Sequence, residues 1–162
     1  MILKIGDKFP KGTLAFYESN SLKIIDTNEI LKNKRVVIFG MPGAFTPTCS
    51  QYHIPSIIKE MRNFKEKGID EILCLVVNDV YVANVWSLQT GAKKAGLKIV
   101  SDPLGKIVKK IGLSYSAPDV GFLDRSMRFC LILNNGILEK FFKEEQRGTC
   151  AITSGKSILS EL

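Results

Sequence analysis

Four cysteines, at positions 49, 74, 130 and 150, carry the side chains of this sequence best suited to nucleophilic or redox chemistry. They form no C-x-x-C pair and fit no zinc-binding spacing, and a single histidine, His53, is present to help bind a metal. We therefore expect no metal site and no cofactor. In a reducing compartment these cysteines are free thiols, so the chemistry to expect is that of a reactive thiolate.

Cys49 lies where a protein activates a thiol. It follows a glycine- and proline-containing segment, residues 40–48, that separates an apolar run from a helical pattern. The thiol is expected in or just before the first helical turn, where unpaired backbone N–H groups and the helix dipole favour a thiolate. We therefore expect Cys49 to be nucleophilic at neutral pH.

Thr46 stands three residues before Cys49, at the place of the partner cysteine in the C-x-x-C segment of thioredoxins. Its presence disfavours a disulfide reductase. The Thr46 hydroxyl can donate a hydrogen bond to the sulfur and accept one from an incoming hydroperoxide. Two prolines, Pro42 and Pro47, make the loop rigid and carry no N–H. Such a pocket is suited to aligning a peroxide with the sulfur.

The elements that must position Cys49 are indicated by apolar patterning. Continuous apolar runs at 36–39 and 72–77 are typical of strands buried on both faces of a parallel sheet. Between them, apolar residues recur at helical spacing from Ile54 to Phe64, and Lys67-Gly68 ends the pattern. The sequence thus predicts a β-α-β unit in which Cys49 connects the first strand to the helix.

The rest of the chain continues the alternation of strands and helices. We predict a helix over 80–95, a strand over 98–100, a helix over 105–111, a hairpin of strands 129–133 and 137–142, and a helix over 155–162. This order is typical of an α/β protein with the thioredoxin fold. No linker or repeat divides it, so we expect a single domain over residues 1–162.

The composition excludes several classes of protein. The 162 residues are 45% hydrophobic and 24% charged, and no run of eighteen apolar residues suggests a membrane span. The first residues lack the pattern of a secretory or transit peptide, so we expect a cytoplasmic protein. The net charge of +7 comes from scattered pairs such as Lys93-Lys94. It predicts a basic surface that attracts anionic reductants or substrates, with no nucleic-acid site.

Residues 42–50, Pro-Gly-Ala-Phe-Thr-Pro-Thr-Cys-Ser, closely resemble the PGAFTPxCSxxHxP motif of the type-five (type II) peroxiredoxins, and His53-Ile54-Pro55 completes it. The resemblance extends over most of the chain, through Val77-Asn78-Asp79, Trp86, the turn at 101–105 and Arg128-Phe129. It implies a thioredoxin fold with the N-terminal extension and insertion of peroxiredoxins. It also implies a homodimer whose interface lies beside the active-site loops.

The resemblance implies a catalytic site of Pro42, Thr46, Cys49 and Arg128. Arg128 also has an independent physical reason to matter, because a guanidinium beside sulfur stabilises the thiolate and can hold the peroxide oxygens. Arg125 is the nearby competitor for this role. The activity implied is that of a thiol-dependent peroxidase for hydrogen peroxide and alkyl hydroperoxides, with a sulfenic acid intermediate that thioredoxin, glutaredoxin or glutathione returns to the thiol.

The identity of a second, resolving thiol is open. Cys150, in a glycine-containing loop, is expected to be exposed and mobile enough to reach Cys49. Cys74 and Cys130 lie in apolar strands and are expected to pack in the core, although some plant relatives place a candidate resolving cysteine where Cys74 stands. If no thiol reaches Cys49, the enzyme uses one cysteine. A thiol transferase on the same fold and a non-enzymatic redox sensor are the rival functions, and His53 is expected to be structural.

Overall fold

The apolar runs become neighbouring strands at the centre of a sheet in a computed structural model that describes residues 3–162. The strands are β1 Thr13–Glu18, β2 Ser21–Asp26, β3 Arg35–Gly40, β4 Glu71–Val76, β5 Lys98–Ser101, β6 Ser114–Ala117, β7 Phe122–Ser126, β8 Phe129–Asn134 and β9 Ile137–Lys143. The helices are α1 Thr27–Leu31, α2 Ile54–Glu66, α3 Val80–Gln89, α4 Ala92–Ala95, α5 Lys106–Lys110 and α6 Gly155–Leu159. A π-helical turn, Cys49–His53, precedes α2, and a 3-10 turn covers Pro118–Val120.

The main sheet has seven strands in the order β2-β1-β5-β4-β3-β8-β9. The three central strands, β5, β4 and β3, are mutually parallel, and the remaining pairs are antiparallel. Strands β6 and β7 form a separate two-stranded sheet. Because β3 lies between β4 and β8, both edges of the strand that leads to Cys49 are paired.

Two apolar layers sandwich the main sheet. Alternate residues of β3 point to opposite faces, so Val37 and Phe39 pack with α2 whereas Val36 and Ile38 pack in the other layer. Both layers are built of fully buried aliphatic and aromatic side chains. The strand is therefore held rigidly, and the residues that follow it start from a fixed point. Among residues 3–162, no helix has the length and apolar character needed to cross a bilayer.

The predicted α/β order is confirmed, with two corrections. The helix predicted over 80–95 is broken, because Gly91 adopts a left-handed φ of 78° and separates α3 from α4. The last helix ends at Leu159 and does not reach residue 162. The strands of the N-terminal hairpin, β1 and β2, and of the small sheet, β6 and β7, were not predicted individually.

Candidate active site

Cys49 lies in the first turn of the helix that follows β3. Helical structure begins at Pro47, and the Ser50 N–H donates to the Thr46 carbonyl at 3.0 Å. From Cys49 the turn widens, because the Ile54 N–H donates to the Cys49 carbonyl five residues earlier. The Cys49 N–H belongs to the first turn, which has no acceptor within the helix. The sulfur is fully buried, so its neighbours in the protein decide its chemistry.

Arg128, between β7 and β8, is the cation beside that sulfur. Its Nη2 lies 3.4 Å from the Cys49 Sγ, and its Nη1 lies 2.8 Å from the His53 Nδ1. The side chain is only 6% exposed. A guanidinium at this distance and depth stabilises a thiolate because water screens the attraction little. The predicted proximity of Arg128 to Cys49 is therefore present in the structure.

His53 orients Arg128. Its Nε2 lies 2.8 Å from the Thr153 carbonyl, so Nε2 carries the proton and Nδ1 accepts from the arginine. Burial first and the Arg128 charge second lower the pKa of His53 from 6.5 to about 3. The folded protein keeps this ring neutral, whereas the unfolded chain takes up a proton below about pH 6.5. The free energy of unfolding therefore decreases as the pH falls from about 6.5 towards the folded-state pKa of His53, about 3.

The Thr46 hydroxyl is half-buried and donates to the Gly43 carbonyl at 2.7 Å. The expectation that it donates to the sulfur is therefore wrong for this structure, because its one proton has a nearer acceptor within its own loop. The oxygen keeps lone pairs that can accept a hydrogen bond from a hydroperoxide. The other half of the prediction for Thr46 thus remains open to test.

Pro42 is buried, and its carbonyl accepts a hydrogen bond from the Arg125 Nη1 at 3.3 Å. The adjacent Ala44 N–H donates to the Asn78 Oδ1 at 2.8 Å. A Cβ on Gly43 would come within 2.3 Å of the Arg125 Nη1 and 3.0 Å of the Asn78 Oδ1, so a larger residue there would push Arg125 away from the Pro42 carbonyl. Arg125, the competitor of Arg128, therefore supports the loop, whereas Arg128 contacts the sulfur.

Cys150 is half-buried, and the expectation that it is exposed is wrong. Burial raises the pKa of its thiol to about 11, with the Arg128 charge opposing the rise. The thiol form therefore dominates at neutral pH. Thr48, next to Cys49, donates its hydroxyl to the Gly148 carbonyl at 3.1 Å. The loop that carries Cys150 is thereby joined to the turn that carries Cys49.

Glu144 holds that loop in place. Its Oε1 accepts hydrogen bonds from the Ala151 N–H and from both the N–H and the hydroxyl of Thr153, at 2.8–2.9 Å. Its Oε2 lies 3.1 Å from the Thr149 hydroxyl, which has a nearer acceptor in the Gln146 carbonyl at 2.7 Å. Burial opposes ionisation, but these hydrogen bonds outweigh it and lower the pKa of Glu144. One carboxylate thus fixes the backbone that follows Cys150.

Cys74 and Cys130 are fully buried in β4 and β8, as predicted for packing residues. Both belong to the apolar layer that contains Cys49. Burial raises the pKa of each thiol well above its ordinary value. Within residues 3–162, no group of three or more His, Cys, Asp or Glu side chains is arranged to hold a metal ion.

Comparison with known proteins agrees with this geometry. A protein-family model described as Redoxin matches residues 4–158. Peroxiredoxin-2D of Arabidopsis thaliana is 37% identical over 161 residues, a match that covers 99% of this chain and 98% of that protein. The chain belongs to the peroxiredoxin family. Hybrid peroxiredoxin hyPrx5 of Haemophilus influenzae is 35% identical over 139 residues, which cover 86% of this peroxiredoxin and 57% of that protein.

A solved structure extends the likeness to the whole fold. Reduced Prx3 of Vibrio vulnificus, in complex with hydrogen peroxide, matches with a TM-score of 0.93 and 29% identity, and the match covers 99% of both chains. The predicted thioredoxin-like fold is therefore confirmed. This peroxiredoxin is an enzyme, a thiol-dependent peroxidase.

The roles of several residues that support the site were not predicted. His53 was assigned a structural role, yet it holds the arginine that contacts the sulfur. Its position one helical turn after Cys49 was a usable signal, because residues four apart share a helix face. Asn78, Arg125 and Glu144 act on backbone groups of distant loops, and such contacts have no local sequence pattern.

Replacing His53 by Phe keeps a buried planar ring but removes the acceptor for the Arg128 Nη1. We expect the second-order rate constant for oxidation of Cys49 by hydrogen peroxide to fall about ten- to a hundredfold, the worth of one hydrogen bond to a charged group. Competition kinetics measures this rate, and Tyr52→Phe, an exposed change on the same turn, is the control. A normal rate in a folded His53→Phe protein would show that Arg128 needs no such support.

Replacing Glu144 by Gln should loosen the Cys150 loop, because a neutral amide accepts the hydrogen bonds of Ala151 and Thr153 more weakly. Amide exchange at Ala151 and Thr153 should accelerate about tenfold or more, and Glu145→Gln, at an exposed neighbour, should leave it unchanged. In the wild type the same protection should be lost as the pH falls through the folded pKa of Glu144, below the ordinary value of about 4.3. Equal protection in both variants would contradict the assignment.

Proposed function

We propose that Cys49 is the residue of this peroxidase that attacks the hydroperoxide. The observation that carries the proposal is the 3.4 Å distance between the Arg128 Nη2 and the Cys49 Sγ inside a buried site. The thiolate attacks one peroxide oxygen, so an S–O bond forms as the O–O bond breaks. Sulfur is oxidised to the sulfenic acid, and the second oxygen leaves and is protonated to water or alcohol.

The groups around the sulfur are suited to the charge that this step moves. Negative charge passes from the sulfur to the leaving oxygen, and the Arg128 guanidinium lies where it can neutralise both. The free N–H of Cys49 can donate to the same oxygen, and the Thr46 oxygen can accept the peroxide proton. Pro42, whose carbonyl is held by Arg125, shapes the wall of the pocket.

The second step needs another thiol, and we propose Cys150 for it. Cys150 lies in a loop bonded to the Cys49 turn, which supports the proposal, whereas its partial burial and the Glu144 hydrogen bonds require the loop to open first. Cys74 is the alternative within the core. If neither reacts, an external thiol resolves the sulfenic acid, and the enzyme uses one cysteine.

On the basis of the sequence, we propose that thioredoxin, glutaredoxin or glutathione is the reductant. We also propose that the protein belongs to the type-five subgroup and that it is cytoplasmic. We also propose a homodimer. Phe45 in the active-site loop, Val120 in the 3-10 turn and Leu123 in β7 are apolar and 52–67% exposed, so they offer apolar surface for a second copy.

Two substitutions test the peroxidase assignment. Cys49→Ser should abolish peroxide consumption with a thiol reductant while the protein stays folded, because a hydroxyl stays protonated at neutral pH. Arg128→Lys should slow the peroxide step by a factor of about a hundred or more, since the ammonium lacks the planar fork. Arg62→Lys, at an exposed position of α2, is the matched control. Retained turnover in Cys49→Ser would refute the proposal, and absence of continuous turnover in the wild type would favour a thiol transferase or a sensor.

Peptide mapping of the peroxide-treated enzyme under non-reducing conditions tests the second step. We expect a Cys49–Cys150 disulfide, and Cys150→Ser should keep the first turnover but lose cycling supported by thioredoxin. Overoxidation of Cys49 should then increase, because the sulfenic acid lasts longer. A bond between Cys49 and Cys74 would assign the resolving role to the core thiol. A lasting sulfenic acid or a mixed disulfide would establish a one-cysteine enzyme.

A further inference from the structure

A cavity of about 230 Å³ lies beside the active-site arginine, between the small sheet and the segment that follows β9. Its lining residues are Tyr115, Met127, Arg128, Lys143, Glu144, Glu145, Gln146 and Arg147. Sites for whole drug-sized ligands measure roughly 300–1,000 Å³. This cavity therefore has room for one end of a small ligand.

Two lining residues carry buried polar atoms that have no hydrogen-bond partner within residues 3–162. They are the Tyr115 hydroxyl and the Arg128 Nε. Arg128 is more than nine-tenths buried, and its other two nitrogens are used by Cys49 and His53. Buried donors without partners are rare and call for an explanation. Both atoms can donate, and a carboxylate, which has an oxygen for each, is a group that would satisfy them.

The charges around the cavity favour an anion. Lys143, Arg128 and Arg147 contribute three positive charges, and Glu144 and Glu145 contribute two negative ones, which leaves a surplus of one when the Cys49 sulfur is uncharged, as in the sulfenic acid. Glu144 is already occupied by the hydrogen bonds of its own loop. Burial raises the pKa of Tyr115; the Arg147 charge opposes that rise, Cys49 adds to it, and Arg128 and Arg125 also oppose it.

The cavity is close to the reacting sulfur. The Arg128 Nη2 is 3.4 Å from the Cys49 Sγ. Nε and Nη2 are joined through two C–N bonds of about 1.33 Å, so Nε lies within about 6 Å of the sulfur. A group bound to Nε would therefore lie within the length of a short chain from Cys49.

We propose that this cavity binds the carboxylate of a ligand whose other end reacts at Cys49. The inference rests on the proposed role of Cys49 and names the chemical class that reaches it. The carboxylate receives hydrogen bonds from Arg128 Nε and the Tyr115 hydroxyl, and Arg147 and Lys143 supply further positive charge. The ligand is either an organic hydroperoxide with a carboxylate, before oxidation, or a small thiol with a carboxylate, after it.

Paired ligands separate these two sources. For the substrate, the rate of Cys49 oxidation is compared between a tertiary alkyl hydroperoxide with a terminal carboxylate and its methyl ester. For the reductant, the rate of sulfenic acid reduction is compared between mercaptopropionate and its methyl ester. We expect the acid to react about tenfold faster than the ester in at least one pair, the worth of one charge-assisted hydrogen bond. The pair that shows the preference identifies the source.

Tyr115→Phe and Arg147→Gln should each reduce the ratio of the acid rate to the ester rate severalfold towards one. The control Arg62→Gln removes one positive charge at an exposed position of α2 and should preserve this ratio. Ratios near one in both pairs of the wild type, or ratios that Tyr115→Phe and Arg147→Gln leave unchanged, would overturn the inference. Equal losses in Arg62→Gln would show general electrostatic attraction and would also overturn it.

Direct binding keeps this inference separate from the peroxidase assignment. Propionate, but not propionamide, should shift the NMR resonance of the Arg128 Nε–H in Cys49→Ser protein, and Tyr115→Phe should weaken the response. This readout needs no turnover, so a protein that binds propionate but never oxidises Cys49 would sink only the proposed function. Identical shifts with propionate and propionamide would sink the carboxylate site.

Discussion

A buried guanidinium between a sulfur and an imidazole is the interaction on which the active site depends. Arg128 has to leave water to reach Cys49, and an isolated buried charge is costly. The structure meets that cost with the Cys49 sulfur on one side and the neutral ring of His53 on the other. His53 is useful because it stays uncharged, since a second cation at this place would repel the first.

This interaction couples parts of the chain that are far apart in sequence. His53 receives its orientation from the Thr153 carbonyl, and Thr153 is held by Glu144. The Glu144 N–H in turn donates to the Arg128 carbonyl at 3.0 Å. A closed path of hydrogen bonds thus runs from the arginine through the Cys150 loop and back. Opening the loop to bring Cys150 forward therefore also loosens the support of Arg128.

The sequence allows those parts to be predicted whose residue types carry the signal. Strands buried on both faces, such as β3 and β4, must be apolar at every position, so their patterns are clear. The break between α3 and α4 at Gly91 could not be read from the residue types, because a single glycine is tolerated within a helix. Only the left-handed φ of Gly91 shows that the helix stops there. Cys49 was found from a dense motif, and Arg128 from the family resemblance beyond that motif and from the value of a cation beside sulfur. The acceptor of the Thr46 hydroxyl proton and the backbone groups bound by Glu144 could not be predicted. Both contacts involve backbone carbonyls or N–H groups, which every residue type shares.

Trp86, on α3, is fully buried, and its indole Nε1 donates to the Ser50 hydroxyl at 3.0 Å. Ser50 follows Cys49 directly, and Trp86 is the single tryptophan of the chain. Indole emission depends on the polarity and hydrogen bonding of its surroundings, and here those surroundings include the turn that carries the sulfur. The chain therefore contains its own optical probe, whose fluorescence follows the state of the Cys49 turn in real time without any attached dye.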